Sequence, residues 1–193
     1  RGVRADLVLV DHLQPVSALI GIHERDAEYA NRKGFSKHAP ALPLFTAEEG
    51  ERALDAFRDV ELGADVTIRP GIDLRFRRAG HILGAATAEL RAAGLRVVFS
   101  GDLGRPDCPV MLPPDSVCEA DVLVVESTYG DRRHERTDPE SALADVVNRT
   151  FARGGTVLIP AFAVGRTQLM LYFLERLRRT GRIPNVPIAM DSP

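Results

Sequence analysis

Apolar and polar positions follow two different periods along this chain, and the change of period organises it. Over residues 5 to 13 and 17 to 33 the spacing is helical: Leu7, Val10 and Leu13 form one stripe, and Leu19, Ile22, Tyr29 and Ala30 form another. Gly34 stands where a C′ glycine would end the second helix. After a loop over residues 35 to 40, Thr46 and Glu49 form a capping box for a helix to about Arg58, with Ala53, Leu54 and Phe57 as its buried face. From residue 60 to 76 the period falls to two. Val66 and Ile68, then Ile72, Leu74 and Phe76, predict short strands separated by a Pro70-Gly71 turn. A second hairpin follows, in which Ala86, Ala88 and Leu90 alternate with Thr87 and Glu89, Ala92-Ala93-Gly94 turns, and residues 96 to 99 run back.

Residues 105 to 117 read as a Pro-rich loop, and the continuous apolar run over 121 to 125 predicts a strand buried on both faces. At Gly130 the character changes. A charged linker over 131 to 136 precedes Asp138-Pro139, which opens a helix with the stripe Leu143, Val146, Val147, Thr150 and Phe151, stopped by Gly154-Gly155. A strand over 156 to 160, a helix over 165 to 179 and a strand over 186 to 190 complete a predicted βαβ unit. The fold class is α/β. The chain starts in a helix with no first strand and ends straight off a strand, so it reads as an internal piece of a larger fold.

Composition adds limits more than direction. With 193 residues, 45% of them hydrophobic, the chain could bury a substantial core as one domain or parts of two. No apolar run approaches the roughly 20 residues of a membrane span, and the N-terminus lacks a signal-peptide layout, which places the chain in the cytoplasm. A net charge of −2 means that any nucleic acid must be held by a local basic patch. Cys108 and Cys118 have no zinc-ribbon spacing and read as reduced thiols.

The candidate chemistry lies at one edge of the second hairpin. An antiparallel hairpin sets the start of its first strand beside the end of its second, so the loops Gly80-His81-Ile82-Leu83-Gly84 and Ser100-Gly101-Asp102-Leu103-Gly104 should meet. An imidazole beside a carboxylate is a usual donor pair for a zinc-type site, and the flanking glycines permit close backbone approach. An acid directly after the 121 to 125 strand, Glu126, should land at the same sheet edge. The turn over 161 to 167 delivers a helix N-terminus, where free amides with Arg166 and Thr167 suit a phosphate. His12, His23 and His38 lack ligand spacing and read as solvated.

Five blocks now stand in order: Ala79-Gly80-His81-Ile82-Leu83-Gly84-Ala85, Phe99-Ser100-Gly101-Asp102-Leu103-Gly104-Arg105, Glu126-Ser127-Thr128-Tyr129-Gly130, the run from Ile159 to Gln168, and Asp191-Ser192-Pro193. Together they resemble the β-CASP branch of the metallo-β-lactamase fold, the RNA-processing nucleases that include RNase J and the endonuclease subunit of the cleavage and polyadenylation specificity factor. The resemblance implies part of an αββα sandwich over 1–130, followed by the start of a β-CASP cassette over 131–193. It implies that His81 is a zinc ligand, that Asp102 bridges two Zn²⁺ ions, and that Glu126 orients a histidine near the leaving group. Gly165, Arg166 and Thr167 then become the candidate contacts to an RNA phosphate. For Arg105, Arg132 and Arg133, solvated surface charge is the better reading.

The family's main metal motif, His-x-His-x-Asp-His, is absent, since no two of the five histidines are two residues apart. By the resemblance it lies upstream of Arg1, and two further histidines lie downstream of Pro193. The intact protein is therefore expected to be a zinc-dependent ribonuclease, while this chain alone should bind metal poorly and cleave nothing. Two rivals remain: a non-catalytic RNA-binding or scaffolding relative, and a metallo-hydrolase of small esters, which the cassette near Asp131 disfavours. A homodimer, and endonucleolytic against 5′-exonucleolytic action, stay open.

Overall fold

The computed structural model describes residues 21–133, 137–162 and 164–191. The predicted helix over 5 to 13, the first part of the helix from 17, His12, His134, and Ser192-Pro193 lie outside the described residues.

A mixed sheet of five strands carries the fold: β1 (Asp65–Arg69), β2 (Ile72–Arg78), β3 (Ala86–Ala92), β4 (Leu95–Phe99) and β5 (Val122–Val124), side by side in that order. The first three pairings are antiparallel, and β5 joins β4 in parallel. The hairpin between β3 and β4 turns on Ala93 and Gly94, both at positive φ (51° and 79°), the two-residue geometry whose twist matches that of the flanking strands.

Register divides the sheet into an apolar face and an ionic face. Leu74 opposite Leu90, and Phe76 opposite Ala88, lie on one side, where Leu74, Phe76, Ala86 and Ala88 make a core backed by Val60 and Ile68. The other side carries Arg75, Arg77, Glu89, Arg91 and Arg96. Glu89 is only 1% exposed, and three guanidinium groups close on it: Arg77 at 2.9 Å, Arg91 at 2.9 Å and Arg96 Nε at 3.3 Å. Burial pushes the Glu89 carboxyl up, but hydrogen bonds from Arg77 and Arg91 outweigh it and hold the group below the ordinary glutamate range.

Among the described residues four helices precede or follow the sheet in the chain: α1 (Ile22–Lys33), α2 (Ala47–Leu54), α3 (Pro139–Ala152) and α4 (Arg166–Arg179). Gly34 caps α1 in the left-handed region, its amide on Ala30 O, as its position predicts. Yet α1 buries Ala27 and Ala30, while Tyr29 stands exposed beneath Arg32 and Lys33. His23 is half-buried with its ring edge-on to Phe45 at 4.8 Å, a packed residue where solvation was expected. The capping box of α2 is present in both directions, but the helix ends at Leu54, four residues early, and none of its residues is buried. In α3, capped by Asp138, the buried set is Glu140, Ala144, Val147 and Thr150; Val146 and Phe151 of the expected stripe face outward.

Two strand expectations fail because a strand needs a neighbour, and a third is met only in part. Residues 156 to 160 and 186 to 190 form no strand, so the described residues contain a helix pair in place of a βαβ unit. α3 and α4 pack through Ala144, Val147, Leu174, Leu177 and Ile183, with Val157 laid against them. β5 does form, but at the sheet's edge, with Val122 to Val125 exposed and not covered on both faces. None of the described helices is long and apolar enough to cross a membrane.

Glu89→Gln keeps the side chain's shape and removes its charge, leaving Arg91 and Arg96 to Asp65 and Glu119 and taking from Arg77 the carboxylate it pairs with. We expect it to lower stability in denaturant unfolding by about 1–3 kcal/mol near neutral pH, the loss of charge-assisted hydrogen bonds to a buried carboxylate. Because the folded pKa is depressed, the wild-type advantage is complete above the unfolded value of about 4.3 and disappears as pH falls through the lower folded value. A gap between the two proteins that stays constant into acid would reject this account.

Candidate functional site

The loop that carries His81 is closed at its base. Ala79, wholly buried, donates its amide to Ala85 O at 2.9 Å, and Gly80 and Gly84 take positive φ, so residues 80 to 84 stand out from the sheet edge as a short arch with His81 exposed on it. Gly80 has no room for a side chain: a Cβ there would lie 2.8 Å from Leu112 O. Arg78 braces the loop behind it, pairing with Asp115 and donating from Nε to Pro113 O at 3.0 Å.

The Asp102 loop crosses this arch backbone to backbone. Gly80 and Leu103 form an antiparallel bridge, and the Gly104 amide donates to Ala79 O at 2.8 Å. A Cβ on Gly104 would fall 1.8 Å from Gly80 O, so only glycine allows the chains to pass at this distance. The two loops therefore meet, as hairpin geometry predicts, with Asp102 exposed on the second.

Glu126 joins them from the end of β5. Its Oε1 accepts from the Leu103 amide at 2.6 Å, and its own amide donates to Ser100 Oγ at 3.0 Å. The Leu103 hydrogen bond holds its carboxyl below the usual range against the opposing effect of burial, helped by Thr128 and by the charge of His81. A carboxylate of this kind stays ionised through neutral pH.

The turn before α4 arrives at the same place. Gly165, at φ 81°, sits against the His81 arch: a Cβ there would lie 3.1 Å from Ile82 Cγ2 and 4.0 Å from His81 O. The helix N-terminus differs from its expected form, however. The amides of Arg166 and Thr167 donate to Val164 O and Phe162 O, and the Thr167 hydroxyl also donates to Phe162 O at 2.8 Å. These groups close the turn and are not directed outward, which leaves the exposed Arg166 guanidinium as the cation at this corner. Arg105, Arg132 and Arg133 are exposed; Arg132 lies over the Tyr129 ring at 5.8 Å and within 3.6 Å of Asp131.

His81, Asp102, Glu126 and Gly165 are thus drawn to one edge by hairpin, bridge, hydrogen bond and packing. Sequence reading passed over Ser100 and Thr87, both buried beneath the Asp102 loop. The available signal was a small hydroxyl residue between a buried strand and a Gly-Asp turn.

An imidazole nitrogen and a carboxylate oxygen on adjoining loops have the donor chemistry of a zinc site. In type they fit; in number they do not suffice. Among the described residues no group of three or more His, Cys, Asp and Glu side chains is arranged to hold a metal ion. Zinc takes four ligands in structural sites and about three plus water in catalytic ones, so a centre here needs donors beyond these two.

No family model matches the chain. Known proteins do. Ribonuclease TTHA0252 of Thermus thermophilus is 37% identical over 152 residues, which are 78% of this chain and 35% of that protein. An RNase J-like protein of Methanocaldococcus jannaschii is 33% identical over 151 residues, 76% of this chain and 36% of that protein. Endoribonuclease YSH1 of Eremothecium gossypii is 36% identical over 134 residues, 68% of this chain and 17% of that protein. The chain thus spans about a third of the length of the first two relatives.

The backbone crossing can be tested without reference to any activity. Gly104→Ala should force the two loops apart and lower stability by about 3 kcal/mol or more, at the upper end of overpacking penalties, because backbone cannot yield as a flexible side chain does. A denaturation midpoint equal to wild type would mean that the loops do not cross as described.

Proposed function

This chain belongs to the β-CASP family of metallo-β-lactamase-fold RNA-processing nucleases, and on that premise we propose that it contributes half of a hydrolytic site for RNA phosphodiesters. The observation that carries the reading is the convergence of four separate blocks on one edge: Gly80 bridged to Leu103, Glu126 bonded to the Leu103 amide, and Gly165 seated against Ile82. In this reading residues 1–130 are part of the metallo-β-lactamase sandwich, residues 131–193 open the β-CASP cassette, and the protein works in the cytoplasm.

His81 and Asp102 are the donors this chain would offer to zinc, with the remaining ligands supplied from outside the described residues. When bound, zinc lowers the pKa of a ligating water and stabilises charge gathering on phosphoryl oxygens. The chain's own residues do the rest. Glu126, held as a carboxylate, steadies the Asp102 loop through Leu103 and can orient a histidine that protonates the leaving oxygen. Arg166, exposed beside the His81 arch, holds an RNA phosphate; its guanidinium takes the role because the first amides of α4 are engaged within the turn. Gly165 lets that turn approach, and Thr167 fixes its shape. The isolated chain, short of ligands, should bind zinc weakly and leave RNA intact.

In the full-length protein Asp102→Ala should abolish zinc-dependent RNA cleavage while leaving the melting temperature within a few degrees, since the side chain is exposed. Wild-type turnover in that variant, measured on a labelled RNA, would remove Asp102 from the site. Arg166→Ala should weaken RNA binding more at low salt than at high. A single lost phosphate contact flattens the slope of log affinity against log salt by about 0.7 for a single strand. An unchanged slope would mean that Arg166 touches no phosphate.

A further inference from the structure

Four hydrogen bonds meet on Ser100, a residue with no part in the chemistry above and only 5% exposed. Its amide donates to Val124 O at 2.9 Å, and its carbonyl accepts from Thr87 Oγ1 at 2.9 Å. Its hydroxyl donates to Gly101 O at 2.7 Å and accepts from the Glu126 amide at 3.0 Å. The first bond is a backbone link that most residues could make. The other three depend on side chains, two of them on this one hydroxyl.

The bond from the Glu126 amide closes a ring, and the bond to Gly101 O ties the turn inside it. From the Ser100 hydroxyl the path runs to the Glu126 amide, through that residue to its carboxylate, across 2.6 Å to the Leu103 amide, and back along Asp102 and Gly101 to Ser100. Asp102 sits inside the ring with both chain neighbours tied, Gly101 by its carbonyl and Leu103 by its amide. A hydroxyl serves both ends at once, because it donates and accepts through one oxygen in a space with little water. Alanine does neither, and its loss leaves buried partners unsatisfied. Behind Ser100, Thr87 on β3 is itself 5% exposed and pins the carbonyl.

From this closed ring we infer that Ser100 is a positioning residue, whose hydroxyl sets where the Asp102 and Glu126 carboxylates stand relative to each other, with Thr87 holding it from behind. The inference rests on the reading of Asp102 as a metal donor. It extends that reading to two residues that touch neither metal nor substrate and act only by keeping the two acids in register.

The test uses the full-length protein, stripped of metal and titrated with Zn²⁺ by calorimetry, alongside RNA cleavage kinetics and thermal melting. Ser100→Ala should lower zinc affinity by about 10- to 100-fold, the range seen when partners of metal ligands are lost. It should lower kcat comparably with KM within about twofold. Thr87→Val, an isosteric change that removes only the bond to the Ser100 carbonyl, should move both quantities the same way by less, and Thr87→Ser should restore them. Wild-type zinc affinity and kcat in Ser100→Ala would overturn the inference. So would losses that merely track a collapse of the melting transition in both Ser100→Ala and Thr87→Val. Zinc affinity is read without RNA: if the full-length protein cleaves nothing, the nuclease reading falls, while affinity lost in Ser100→Ala still upholds the positioning role. A wild type that binds no zinc overturns the inference together with the donor reading.

Discussion

The structure depends on two backbones passing each other where neither has a side chain. Gly80 lies against the Leu112 to Pro114 backbone on one side and against Gly104 on the other, with 1.8 Å left where a Cβ would stand. Hydrogen bonds to Ala79 O and the bridge to Leu103 fix the crossing, and the three chemistry-bearing loops hang from it. Loops generally sit at a surface and move. These are held from below by strands and from within by their own amides, so their exposed side chains project from a rigid base.

The sheet beneath supplies that base with an uneven arrangement of its two faces. One face is an ordinary apolar core around Leu74 and Phe76. The other places a glutamate under three half-buried arginines, a cluster whose favourable Coulomb energy is set against the cost of removing the carboxylate from water. Hydrophobic burial has no preferred direction, whereas a carboxylate bridged by arginines of β2, β3 and β4 fits a single register of those strands. The ionic face thus favours one alignment of the hairpins whose far ends carry His81 and Asp102.

What could be read from the chain beforehand was what is local. The Thr46 and Glu49 capping box, the cap at Gly34 and the Ala93-Gly94 turn depend on residues within one turn of each other, and all appear. The meeting of the His81 and Asp102 loops was legible too, because antiparallel pairing determines it once the hairpin is identified. Elements that need a distant partner were not. Val122-Leu123-Val124-Val125 and Thr156-Val157-Leu158-Ile159-Pro160 are both apolar runs, yet the first pairs with β4 through Val122–Val124 and the second forms no strand, because pairing depends on a neighbour that lies outside the run. Glu89 looked like the polar half of an alternation because the arginines that bury it come from three strands. Ser100 looked like turn filler because its two hydroxyl partners are one and 26 residues away.

Glu126 illustrates a wider consequence. In the proposed reaction its carboxylate orients a histidine, and in the fold its Oε1 is a strut under the neighbouring loop through Leu103. Truncating it removes both functions together, so a dead alanine variant does not distinguish a misoriented histidine from a sagging loop. Glutamine separates the two, since its amide oxygen can still accept from that backbone donor while surrendering the charge.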